Sequence, residues 1–229
     1  MKTYLEPARE LQIRECDVVI TGGGTAGVFA AIAAARNGAK TILIESKGYV
    51  GGIAVEGGTA LHSFFNLYSC FGVPKVQLVK GIPQEFIDRL IAVGGCTGHA
   101  EMSVGNCYDA VSTVVDTELY KVIAFEMLAE AGVEVLVNTF LAGAIIDNGK
   151  IKGVITESRS GREAIMAKSF VDSTGYGDLA AHAGADYVEL NDHPVANSIG
   201  VGGLDIDTYH NYISGLDIVS QRAEGIRSG

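Results

Sequence analysis

The stretch Cys16 to Glu45, CDVVITGGGTAGVFAAIAAARNGAKTILIE, constrains the fold more than any other part of the chain. It reads as a βαβ unit. Asp17–Thr21 carries the β-branched run Val18-Val19-Ile20 with no polar alternation, as suits a parallel strand buried on both faces. Gly22, Gly24 and Gly27 then fill the pattern G-x-G-x-x-G. The first glycine permits a tight turn, the second lets a pyrophosphate approach the backbone, and the third allows close helix–strand packing. From Ala26 to Arg36 the residues are small or apolar helix formers, stopped by Asn37-Gly38. The start of that helix, with Thr25 and Ala26, would point free N–H groups at phosphate. Thr41–Ile44 is a second strand, and Glu45 closes it about 20 residues past the fingerprint, where a carboxylate accepts ribose hydroxyls and repels a 2′-phosphate. The expected ligand is a dinucleotide other than NADP.

Composition narrows the class further. The chain has 229 residues, 48% of them hydrophobic, enough for one large domain or one and a half. Its longest uninterrupted apolar run, Val28–Ala35, falls far short of the roughly 20 residues that span a bilayer. The opening MKTYLEPARELQIRE has no apolar core of the secretory kind, so a cytoplasmic location is expected. A net charge of −10 provides no basic footprint for nucleic acid or anionic membrane, which favours a small-molecule substrate. Cys16, Cys70, Cys96 and Cys107 form no C-x-x-C pair and read as buried free thiols, with no metal site signalled.

Ser46–Ser63 follows the second strand with two glycine pairs, Gly51-Gly52 and Gly57-Gly58, interleaved with Ile53, Val55 and Leu61, a pattern for a loop packed on a ligand. GGGTAG, Glu45 and Gly51-Gly52 together resemble the extended dinucleotide motif of two-domain FAD oxidoreductases of the glutathione-reductase and fumarate-reductase type. That resemblance implies FAD, and it places Gly51–Gly58 beside the flavin. Some relatives carry there a histidine linked covalently to FAD; the glycines of this chain imply a noncovalent flavin.

Further on, Val76–Val93 contains an amphipathic helix with Pro83 in its first turn and Phe86, Ile87, Leu90 and Ile91 on one face, ended by Gly94-Gly95. Gly94–Ser103 and the approach to Asp116 read as loop, with His99 solvated or facing the flavin. Asp116 is expected to cap the helix Thr117–Ala131, stopped by Gly132 and followed by a third parallel strand at Val133–Thr139. By the resemblance, Leu141 meets the adenine through its backbone. Ala144–Asp147, Lys150–Glu157 and Arg162–Val171, joined by Asn148-Gly149 and Ser158–Gly161, read as a three-stranded antiparallel meander. In DSTGYGDLAA, Ser173-Thr174-Gly175 resembles the family's second short motif near the pyrophosphate and ribose. Asp178 there is expected as a helix N-cap, a flavin contact, or both.

The fold expected is α/β: a Rossmann-like FAD-binding domain with a parallel sheet, the meander and flanking helices. Residues 1–185 would form that domain, and 186–229 the start of a substrate domain whose remainder the chain does not contain. The expected cofactor-binding set is Gly22, Gly24, Thr25, Ala26, Gly27, Glu45, Ser46, Gly51, Gly52, Leu141, Thr174, Gly175 and Asp178. The expected function is hydride transfer between an unidentified small molecule and noncovalent FAD. The alternatives are an NAD-linked dehydrogenase, a flavin-binding domain without turnover, and a flavoprotein that modifies RNA or builds a cofactor. His62, Tyr68 and Arg89 are the available proton-transfer groups, none at a spacing that identifies a relay. Nothing after Gly184 matches the C-terminal return that completes the flavin site in such proteins. A fragment with weak FAD retention is therefore expected, its exposed apolar surface favouring homo-oligomers.

Overall fold

The computed structural model describes residues 2–56, 61–62, 76–101, 111–188 and 202–214. Gly57-Gly58, Tyr68, Cys70, Cys107 and the closing residues 220–229 lie outside them. The chain divides into two compact units, Met1–Val195 and Ala196–Gly229. Within the second, α5 spans Ile206–Ser214, and the Asp205 carboxylate accepts from the Thr208 N–H and hydroxyl at its start.

The first unit is built on a four-stranded parallel sheet of β2 (Val18–Thr21), β3 (Thr41–Ile44), β7 (Glu134–Leu136) and β11 (Ser169–Asp172), in the order β11-β2-β3-β7. β2 is interior, as its unbroken apolar run requires. Its side chains alternate between two apolar layers. Ile20, with Leu43 of β3, faces the helices α1 (Thr25–Arg36), α2 (Ile82–Ala92) and α3 (Thr117–Ala131). Val19, with Ile42 and Ile44, faces Val154 and Ile165 of a second sheet and Leu179 of the short α4 (Asp178–His182). Phe86 of α2 joins the three helices, packing edge-on against Phe29 of α1 at 5.5 Å and Tyr120 of α3 at 4.5 Å between ring centroids.

The second sheet has four strands rather than the three expected. β8 (Phe140–Asp147), β9 (Lys150–Ser158) and β10 (Gly161–Met166) form the antiparallel meander, and the N-terminal β1 (Gln12–Glu15) adds parallel to β10. The single strand read over Arg162–Val171 is two. β10 stops at Met166, the chain steps across at Ala167-Lys168, and β11 pairs with β2 in the other sheet. β1 steps across beside it, through Cys16 and Asp17 into β2, so two adjacent segments change sheets side by side. Asp17 ties them together, its carboxylate accepting from Lys168 Nζ at 2.6 Å and from the Lys40 N–H at 2.8 Å.

Residues 96–101 and 111–115, expected as loop, belong to a third sheet. β5 (Cys96–Glu101) and β4 (Leu61–His62) flank β6 (Val111–Val115), all antiparallel, with an irregularity between Cys96 and His99 where Gly98 adopts φ +91°. His99 lies on β5, partly exposed, rather than in a loop. Its Nδ1 lies 2.6 Å from Thr113 Oγ1 and its Nε2 2.9 Å from Gln84 Oε1. Because an amide oxygen only accepts, the imidazole carries its proton on Nε2 and takes the Thr113 hydroxyl on Nδ1. Burial lowers its pKa from the ordinary value, with Asp88 acting in the opposite sense.

Candidate functional site

The ends of β2, β3 and β11 and the start of β8 meet at one cavity of about 770 Å³, within the range of small-molecule and cofactor sites. The first wall is the glycine fingerprint. At Gly22 (φ +95°) the chain turns sharply, and a Cβ there would lie 2.4 Å from the Ser173 carbonyl oxygen. At Gly27 a Cβ would lie 1.8 Å from the Gly22 carbonyl oxygen. Both glycines therefore serve packing, and Gly27 sits behind the wall rather than on it. Gly24 differs: a Cβ there would meet only Gly52 Cα, at 4.0 Å. It is the N-cap of α1, which has no side-chain cap and no acid in its first turn. The free N–H groups of that turn, with Thr25 and Ala26, open on the cavity.

The second wall is the Gly51-Gly52 pair, drawn against the fingerprint by a bridge between Gly24 and Gly51 and by the Gly51 N–H donating to the Gly23 carbonyl at 2.8 Å. A Cβ on Gly52 would come within 2.9 Å of Gly24 Cα, so the approach of the two backbones depends on glycine there. Gly52 lines the cavity; Gly51 lies behind it. Thr25 Oγ1 donates to the Gly51 carbonyl at 3.4 Å and accepts from Tyr120 Oη at 3.4 Å, and burial pushes the Tyr120 phenol up and keeps it protonated.

Glu45, at the end of β3, is 8% exposed. Its Oε2 accepts from the Gly23 N–H at 2.7 Å; its Oε1 accepts from the Lys47 N–H at 2.7 Å and the Ser46 hydroxyl at 3.0 Å. Lys47 also lines the cavity and pairs with Glu56 at 3.2 Å, a contact that raises the Lys47 pKa. The third wall is Thr139, Phe140 and Leu141, held beside Glu45 because the Thr139 N–H donates to the Glu45 carbonyl at 3.0 Å.

The fourth wall follows β11: Ser173, Thr174, Gly175, Tyr176 and Asp178. Asp178 is not the N-cap of α4; Gly177, at φ +73°, occupies that position. The organising carboxylate is Asp172, which accepts from the Thr174 N–H at 3.2 Å, the Thr174 hydroxyl at 2.8 Å and the Ala180 N–H at 3.0 Å. Burial pushes the Asp172 pKa up, and these hydrogen bonds outweigh it and leave the carboxyl below its ordinary value.

Of the residues expected at the site, eleven line the cavity and Gly27 and Gly51 support it from behind. Lys47, Ile53, Glu56, Thr139, Phe140, Ser173 and Tyr176 line it without having been expected. Five of them carried a signal in their adjacency to chosen positions: Lys47 to Ser46, Ile53 to Gly52, Phe140 to Leu141, Ser173 to Thr174 and Tyr176 to Gly175. Arg89, a candidate for proton transfer, is instead held by Glu85 at 3.0 Å and Glu130 at 2.7 Å on the helical layer. Cys16 and Cys96 are buried free thiols, and burial raises the Cys16 pKa. Among the described residues no helix is long and apolar enough to cross a membrane.

Known proteins share the family and the fold. A thiamine thiazole synthase from Methanococcus maripaludis is 28% identical over 180 residues, covering 75% of this chain and 60% of the relative. A digeranylgeranylglycerophospholipid reductase from Methanocella arvoryzae is 29% identical over 175 residues, covering 70% of this chain and 39% of the relative. The chain thus spans about 60% of the length of the thiazole synthases it matches. The solved structure of a flavin-dependent brominase shares the fold, with a TM-score of 0.52 at 18% identity over 75% of this chain and 41% of that one. The family model for FAD dependent oxidoreductases matches residues 17–211, and the chain belongs to that family.

Proposed function

We propose that this chain binds FAD noncovalently and serves an oxidoreductase acting on a small molecule. One observation carries the reading: the uncapped N-terminus of α1 and the facing Gly52 backbone open on the same cavity as the Glu45 carboxylate. These parts suit the group the family uses. The α1 N–H groups and Gly24 would hold the pyrophosphate, Glu45 and Ser46 the ribose, and Thr139–Leu141 the adenine. Thr174, Gly175 and Asp178 would bound the remaining side. Phe140 (60% exposed) and Tyr176 (91% exposed) leave aromatic surface on the lining that a flat ring system would cover. Glycines stand at Gly51-Gly52, in the stretch where some relatives carry a histidine linked to FAD, which supports noncovalent attachment. Bound FAD would supply hydride acceptance and donation; the protein binds it, orients it and excludes water. The acidic net charge supports a small-molecule partner over nucleic acid or membrane.

Titrating the purified chain with FAD, ADP and NAD tests this. The expected outcome is saturable FAD binding with a perturbed flavin spectrum, competed by ADP. Tight NAD binding with no affinity for FAD would replace the reading with that of a nicotinamide-linked dehydrogenase.

A further inference from the structure

Gly23 occupies a position of G-x-G-x-x-G that the motif leaves free. In this structure it is not free. Its N–H donates to Glu45 Oε2 at 2.7 Å in a buried setting, and a Cβ built on it would lie 2.9 Å from Glu45 Cβ, 3.1 Å from Cγ and 3.0 Å from Oε2. The Glu45 side chain is packed flat on a residue with no side chain of its own.

The acceptor inventory gives that contact a consequence. An ionised carboxylate offers about four lone-pair positions. Two on Oε1 are taken by the Lys47 N–H and the Ser46 hydroxyl, and one on Oε2 by Gly23. One acceptor position remains, on the oxygen that Gly23 holds. Ser46, its proton given to Oε1, can offer a ligand only its oxygen as acceptor. Glu45 and Ser46 both line the cavity, so Oε2 and Ser46 Oγ are the acceptors left there for two vicinal hydroxyl donors. We propose that Gly23 is a positioning residue that fixes Glu45 in the conformation that reads the adenosine ribose diol, so that this glycine serves ligand selectivity as well as backbone turning. The inference rests on the dinucleotide reading above.

The experiment compares ADP with 2′,3′-dideoxy-ADP by calorimetry on the wild-type chain, Gly23→Ala, Glu45→Ala and the double variant. A hydrogen bond to a charged group predicts that the wild type prefers ADP by about tenfold or more. Gly23→Ala is expected to reduce that preference to within about threefold by weakening ADP alone, to match Glu45→Ala, and to add nothing in the double variant. If Gly23→Ala weakens both nucleotides equally and the preference survives, the residue is mere packing and the proposal falls while the ribose reading stands. If the wild type shows no preference for ADP, the ribose reading falls and the proposal with it. Amide hydrogen exchange supplies a test that does not require the Gly23 variant to fold. The Gly23 N–H of the ligand-free wild type should exchange slowly and lose protection in Glu45→Ala; rapid exchange in the wild type overturns the proposal.

Discussion

At the scale of single residues, glycines that a motif treats alike do different work. Gly24 projects its missing side chain into the cavity, whereas Gly27 would drive one into the Gly22 carbonyl. Gly24→Val should leave stability nearly unchanged, apart from the modest loss of helix-capping preference, and weaken ADP binding by tenfold or more by intruding on the phosphate path. Gly27→Ala should lower the unfolding free energy, because backbone must move to relieve the clash. Urea unfolding and ADP titration of the two variants separate the cases. Asp172 offers a second residue-scale prediction. Replacing it with Ala hands the exposed Ala180 and Thr174 N–H groups and the Thr174 hydroxyl to water, at a modest cost of about 0.5–1.5 kcal/mol in urea unfolding. ADP should bind less tightly too, since Thr174 lines the site.

At the scale of elements, the contacts between helices and the third sheet are sensitive to acid. Glu85 on α2 is bonded by Arg36 of α1 at 2.6 and 2.8 Å, and that partner lowers its pKa. His99, lowered by burial, is neutral when folded, so below its ordinary value of 6.5 the unfolded chain binds the extra proton. Both groups contribute stability that is present above their unfolded pKa values and lost as pH falls toward the folded ones. His99 acts first, on acidification from about 6.5, and Glu85 later; exposure of the ion pair limits the second effect. Thermal melts between pH 7.5 and 4.5 should show a decline that is shallower near pH 6 in His99→Gln.

Legibility follows the range of the forces involved. β2, α1, β3 and α3 were readable because each is announced within a few residues by glycines, caps or an apolar period. The β5–β6 sheet was not: Gly98, Ala100 and Glu101 carry little strand preference, and their order comes from pairing with Val111–Val115. The break between β10 and β11 has no turn residue at Ala167-Lys168; it arises from competition between two sheets. Asp172 was overlooked in favour of Asp178 because its capping bond reaches eight residues forward, to Ala180. In the site, glycine positions were legible and the Glu45–Gly23 contact was not, since it joins residues 22 apart that meet only when the strands pair.

At the scale of the whole molecule, the first unit is three layers, helices over a parallel sheet over an antiparallel one, with the cavity at the strand ends where the layers meet. The cavity walls come from the turns after β2 and β11, the Gly51-Gly52 loop and the start of β8, so a ligand filling it would join segments distant in sequence. Saturation with ADP at about 100 times its dissociation constant should stabilise the unit by about 2.7 kcal/mol, read as a rise in melting temperature. The absence of a shift at saturating ADP and FAD would show that the cavity holds no nucleotide.

The side-by-side crossing of β1 into β2 and β10 into β11 sets an order of assembly during synthesis. β2 emerges early, yet the neighbour that covers one of its edges is some 150 residues away, as the Thr21–Val171 hydrogen bond shows. While those residues are being made, β2 presents an open, apolar edge, the kind that pairs with other chains. Non-local parallel pairing of this kind also closes slowly. Nascent chains halted before Ser169 should therefore be sticky and protease-sensitive, and chains extended past Asp172 should become resistant in one step, a contrast that pulse proteolysis of stalled ribosome complexes can read.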